Sequence, residues 1–208
     1  MKKNKQNIDL QYFGDIKFIS TLIKSTNAFY LPDVRYEKSL HLNRTCLIGA
    51  NGPLLLTVPL IGGRDKKQKL KDVQISYVDP WQKIQWRGID SSYRKAPWFE
   101  DYAPGLKELF ELREKYLLDL NLKTMEWVSK KLKINVDILA DNEVSKKEAP
   151  GNSGVKTGFQ YQPYQQVFME KHGFKPNLSI LDLLLCVGPS AKKYLEAIAT
   201  LKNDDRTL

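Results

Sequence analysis

Arg44 is the residue of this sequence best suited to hold an anion, because a guanidinium keeps its charge at all working pH values and grips a phosphate or carboxylate through two parallel N–H donors. Asp33 and Glu37 are near enough in the chain to be its ion-pair partners instead. Asn43 beside it can orient a ligand or cap a turn, and His41, two residues earlier, can act as a general base if it faces a pocket or else sits as a lone surface histidine. A second polar group lies far along the chain. Tyr164, Gln165 and Gln166 combine a ring with two amides, which suits stacking and hydrogen bonding to a sugar or nucleotide, or else forms a helix start with one aromatic in the core. Asn177, Ser179 and Asp182 make a third set, although a serine cap followed by an acid three residues later explains the last two without any ligand. Trp81, Trp86 and Trp98 could stack on rings, but their helical spacing among apolar neighbours gives them places in a core.

Other chemistries have no foothold in these residues. The two cysteines, Cys46 and Cys186, and the two histidines, His41 and His172, lack the close spacing of metal ligands, so neither a metal site nor a disulfide is expected. No Walker loop, glycine-paired nucleotide fingerprint or Ser-His-Asp order is present, so no reaction follows from motifs and no cofactor is assigned. The net charge of +9, from 33 Lys and Arg against 24 Asp and Glu, favours anionic partners. A nucleotide sugar or an acyl donor is the expected small molecule, with nucleic acid as the less favoured partner. The basic first residues run into a stretch broken by charge and form no apolar signal core, and no apolar run approaches the roughly 20 residues of a membrane span. The chain is therefore read as cytoplasmic, without a membrane span.

These side chains need elements to position them. Residues 8–12 read as a short strand, residues 16–23 as a helix with Ile16, Ile19, Leu22 and Ile23 on one face, and residues 28–34 as a second strand. That order favours a parallel pair with a crossover helix. Two apolar runs flank Gly49-Ala50-Asn51-Gly52, the mark of a hairpin whose second arm reads as buried on both faces. Val73, Ile75 and Tyr77 alternate with polar residues as a further strand. From Trp81 the period becomes helical, with Trp81, Ile84, Trp86 and Ile89 marking an aromatic-rich helix, Pro104 in the first turn of the next helix, and a long apolar stripe through Leu132. Residues 136–140 read as a strand and 141–158 as a mobile loop poor in apolar groups. Ser179 opens a helix that Gly188-Pro189 ends. The expectation is an α/β chain with a mixed sheet from the N-terminal half and a C-terminal helical region. It forms one domain over 1–208, mainly sheet over 1–80 and mainly helical over 81–208.

Three stretches carry a resemblance. Asn43-Arg44 with Gly52 and Leu56-Thr57-Val58-Pro59, then Trp81 to Trp86 with Ser92-Tyr93 and Ala96-Pro97-Trp98-Phe99, then Pro163-Tyr164-Gln165-Gln166-Val167-Phe168 with Gly173 to Leu184 and Gly188-Pro189, fall in the order seen in the WbqC-like family. The chain resembles that family over most of its length. The resemblance implies a transferase of surface-polysaccharide or O-antigen biosynthesis, moving a glycine, aminoacyl or related group onto an activated sugar, and it adds Tyr93 to the candidate residues. Many members open with a His-Gln-Pro turn between strand and helix, similar to the start of nucleotidylyl transferases. Here Leu10-Gln11-Tyr12-Phe13-Gly14 stands in that place. The other readings are a noncatalytic binding module for nucleic acid, such as a transfer RNA, and a scaffold protein of a polysaccharide assembly complex.

Overall fold

A computed structural model describes residues 5–25, 27–37, 41–62, 68–140 and 159–200. Strand β1 (Lys5–Asn7), helix α1 (Ile16–Ile23) and strand β2 (Asn27–Tyr30) form a parallel strand-helix-strand unit. Strand β5 (Asp137–Ala140) joins β2 in parallel, giving the order β1-β2-β5. The first strand lies earlier than residues 8–12, because the chain there turns inward: Leu10, Tyr12 and Phe13 are buried, and Phe13 and Gly14 both take positive φ. A Cβ on Gly14 would press on the side chains of Phe18 and Ile19, so that turn requires glycine. Asp15 then caps α1 by accepting from Phe18 N–H at 2.7 Å.

β3 (Arg44–Gly49) and β4 (Gly52–Thr57) form the expected hairpin, closed at Gly49 and Gly52 around the two residues Ala50 and Asn51. It is a separate two-stranded antiparallel sheet, so parallel and antiparallel pairing coexist in the fold without sharing one sheet. Its second arm is covered on one face alone. Leu56 is buried while Leu55 is 54% exposed, since α2 and α6 pack against the hairpin and nothing described covers the outer side of Leu55. Residues 73–77 contribute isolated bridges from Ile75 to Leu60 and from Gln74 to Tyr116 instead of a strand in either sheet.

The remaining helices are α2 (Trp81–Tyr93), α3 (Phe99–Glu111), α4 (Leu117–Leu132), α5 (Met169–His172), α6 (Ile180–Val187) and α7 (Ala191–Thr200). Helix α2 buries Trp81, Gln85, Ile89 and Tyr93, one face at steps of four, and this leaves Ile84 60% exposed. Pro104 lies inside α3, which begins at Phe99, five residues earlier than a first-turn proline would place it. Its missing N–H frees the carbonyl of Glu100, an exposed residue of the first turn that water can reach. Helix α4 ends at Lys133 in the left-handed conformation and leads directly into β5. Helix α6 is buried almost throughout and forms the centre of the core, in contact with α1, α3, α7 and β3. The loop expected over 141–158 lies outside the described residues.

Candidate functional site at the carboxyl edge of the parallel sheet

The strands β1, β2 and β5 point the same way, and ligands of open parallel sheets sit beyond the carboxyl ends of the strands. Two segments leave that edge here: residues 8–15 after β1, and residues 31–37 after β2, the latter followed by the turn at 41–44. A buried asparagine of α4 ties the first to that turn. Asn121 Nδ2 donates to Leu10 O at 2.7 Å and to Leu42 O at 2.8 Å, bridging the backbone of the two segments. Tyr36 closes the ring by donating its hydroxyl to Asn43 Oδ1 at 2.9 Å, while Asn43 Nδ2 donates to Val58 O at 2.9 Å. Arg44 starts β3 opposite Thr57, and its charge acts on the Tyr36 phenol. Asp33 is held by Lys69 and Lys71 at 3.0 and 2.7 Å.

Two acids at this edge are raised by burial. Burial, reinforced by the neighbouring Glu37, pushes the Asp9 carboxyl up to about 6, where it exchanges protons near neutrality. Burial also raises Asp15, against the opposing pull of hydrogen bonds from Phe18 N–H and Asn177 and of the His41 and Lys17 charges. His41 is exposed, takes positive φ, and lies within electrostatic reach of Asp15. Tyr161 is close enough to Asp15 that its phenol, already disfavoured from ionising by burial, rises to about 12.

The first turn of α1 offers less to an anion than its position suggests. Ile16 N–H donates to Leu178 O at 3.0 Å, Lys17 N–H to Asn177 Oδ1 at 2.8 Å, and Phe18 N–H to Asp15. The donors that a nucleotidylyl transferase would turn toward phosphate are bonded within the chain, so anion recognition at this edge falls to side chains.

A second polar cluster lies inside the protein. Asp182, fully buried on α6, accepts from Tyr93 Oη at 2.6 Å, from Tyr164 Oη, and from Gln166 Nε2 at 3.1 Å. Burial raises its carboxyl, which these three donors oppose. The same carboxylate and burial push both phenols well above the usual tyrosine range. Tyr93 Oη also accepts from Ile48 N–H at 3.1 Å, and the Gln166 amide is used at both ends, donating to Lys175 O at 2.9 Å and accepting from Lys175 N–H at 2.8 Å. The cluster ties α2, α6, β3 and residues 164–175 together.

A sequence model of the WbqC-like protein family matches residues 11–156. The chain belongs to the WbqC-like protein family. It is also similar to an uncharacterized protein of Mycobacterium tuberculosis (strain ATCC 25618 / H37Rv), Rv1507c, with 27% identity over 218 aligned positions that cover 88% of this chain and 91% of that one. No solved structure matches it.

In this WbqC-like chain the sequence candidates divide between the two clusters. His41, Asn43, Arg44 and Asn177 stand at the carboxyl edge, whereas Tyr93, Tyr164, Gln166 and Asp182 form the buried network and Gln165 is exposed beside it. The contacts of Tyr164 and Gln166 run to Asp182, Phe174, Tyr194 and Lys175; those of Asn43 and Arg44 run to Tyr36, His41, Val58 and Thr57. The clusters meet along residues 177–180, where Ser179 N–H donates to Cys46 O at 2.7 Å and Ile180 N–H to Gly14 O at 3.0 Å. Ser179 caps α6, as its sequence context implied. Sequence reading missed Asp9, Asp15 and Asn121. Asn121 had a signal: it is the one strongly polar residue in the run Leu117, Leu118, Leu120, Met125, Val128 of buried α4 positions. Asp9 could have been found from its place just after a strand that feeds a crossover helix. Among the described residues no group of His, Cys, Asp and Glu could hold a metal ion, and no helix is long and apolar enough to cross a membrane.

Proposed function

We propose that this WbqC-like chain is a transferase that moves an aminoacyl, glycyl or related group onto an activated sugar in surface-polysaccharide assembly, with its anionic donor held at the carboxyl edge of the parallel sheet. One observation carries the reading: Asp9, a half-buried acid with its carboxyl at about 6, lies in the segment that Asn121 clamps to the turn bearing His41 and Asn43, with Arg44 next in the chain. Arg44 and Asn43 take the donor's phosphate or carboxylate, with Asn177 and His41 at the rim. Asp9 accepts the proton of the attacking amine or hydroxyl as that group bonds to the acyl carbon, and returns it to the departing carrier, which leaves with the electron pair of the broken bond. Tyr164, Gln166 and Asp182 hold the edge in place from behind through the shared segment 177–180.

The test is a thermal-shift panel of nucleotide sugars and acyl donors, followed by mass spectrometry of any pair that stabilises the protein, to detect transfer of the group. A stabilising donor whose affinity Arg44→Ala reduces by about 1.5–3 kcal/mol, the scale of a charge-assisted hydrogen bond, with little change in melting temperature, supports the proposal. Stabilisation by RNA alone, with affinity collapsing as salt rises, returns the chain to a nucleic-acid binding module. A variant that unfolds instead of losing affinity makes Arg44 structural.

A further inference from the structure

A groove of about 620 Å³ lies between α4 and the chain that leads from it into β5. Its floor is apolar: Ile134, Val136 and Ile138 follow one another at steps of two, and Leu122 of α4 completes it. One end of the groove lies at the carboxyl edge of the parallel sheet. Asp119 stands in the first turn of α4, close in the chain to Asn121, which holds the carbonyls of Leu10 and Leu42. Burial, and then the charge of Asp119, raise the phenol of Tyr30, the last residue of β2. From that edge α4 carries the groove back to Lys133 and Asn135, which precede β5.

The charges along the groove are sorted. Glu126 and Lys130 bond each other at 2.8 Å and cancel. What remains is an acidic end at Glu114 and Asp119, then Lys123, then Lys133, and none of these four forms an ion pair with another described residue. Asp119 and Lys123 are one helical turn apart, about 6 Å along the axis, which is close to the span of a sugar ring. Farther along, Ser129 lines the groove with its Oγ buried and without a hydrogen-bond partner, and Asn135 adds an amide. A neutral sugar leaves these charges unanswered, a nucleic acid meets the acidic end with like charge, and a free amino acid leaves most of the volume empty.

We infer that this groove is the acceptor subsite and takes a nucleotide-linked amino sugar, with its free amine at Glu114 and Asp119 and its diphosphate at Lys123. The nucleoside lies over Leu122, Val136 and Ile138, where Ser129 Oγ and Asn135 bond its ribose or base. Lys123 serves the phosphates as a mobile point charge. The role of acceptor rests on the transferase reading, whereas the fit rests on the groove.

Isothermal titration calorimetry on the full chain tests this with uridine-, guanosine- and thymidine-diphosphate amino sugars, each with its amine free and N-acetylated. At least one free-amine form should bind. Its acetylated counterpart should bind about five-fold or more weakly, because acetylation removes the charge that faces Asp119. Asp119→Asn should weaken the free-amine form by a similar factor and leave the acetylated form unchanged, while Lys123→Ala should weaken both. Asp119 and Lys123 are exposed, so both variants should keep the wild-type melting temperature. Binding of the free-amine form with no transfer of any group would support the groove's ligand and overturn the transferase reading. Binding by none of the three free-amine sugars, equal binding of the free and acetylated forms, or an Asp119→Asn loss of the same size on both would overturn the inference.

Discussion

Replacing Asp182 by alanine removes the acceptor shared by three buried donors, the hydroxyls of Tyr93 and Tyr164 and the amide of Gln166. Tyr93 is fully buried, Tyr164 is 8% and Gln166 2% exposed, so water cannot take the carboxylate's place without opening the core. Each donor left unsatisfied costs about 1–3 kcal/mol. The three act as one network and will relax together, and Gln166 keeps its bond to Lys175 O, so the sum falls well short of the upper limit: about 4 kcal/mol. Against the roughly 5–15 kcal/mol of a whole domain that is a large fraction, and for a chain of this size it corresponds to about 8–16 °C in melting temperature. Urea unfolding followed by tryptophan fluorescence measures it, with Tyr93→Phe and Tyr164→Phe as single deletions expected at about 1–2 kcal/mol each. A loss below about 1 kcal/mol for Asp182→Ala, or a double phenylalanine variant whose effect is the plain sum of the singles, would refute the idea of a coupled buried network.

Gly188→Ala should cost at least about 2–4 kcal/mol, because residue 188 takes φ of 57° and an added Cβ would fall on the ring carbons of Trp98, well inside van der Waals contact; urea titration reads the loss, and pairing it with Trp98→Leu should return part of it. Asn121→Leu removes the clamp on the carbonyls of Leu10 and Leu42 and should speed amide exchange over 8–13 and 41–44 while α6 stays protected; uniform protection across those segments would count against the clamp. Asp9 is protonated more readily folded than unfolded, so its share of stability is complete below its unfolded value near 4 and is lost as pH rises through about 6. Asp9→Asn should therefore flatten the fall in stability over that window by about 1–2 kcal/mol after allowance for solvent screening, and an unchanged slope would show that Asp9 titrates normally.

Local order was legible in this sequence wherever neighbours along the chain decide it. The Asn51-Gly52 step gave the hairpin, the apolar spacing of Ile16, Ile19 and Leu22 gave α1, and Ser179 with Gly188 gave both ends of α6. Each rests on backbone geometry or on a period of a few residues, which a sequence states directly. Pairings across the chain were a different matter. Nothing local says that Asp182 is fully buried among partners 89, 18 and 16 residues away, since an acid three residues after a serine cap is ordinarily a solvated capping group. The burial of a single face of β4, the exposure of Ile84 and the division of the polar candidates into an edge and an interior depended on which helices covered which surfaces. Desolvation decides these: the same aspartate is a surface cap in water and a three-way anchor in a dry core, and only the folded chain determines which of the two it becomes.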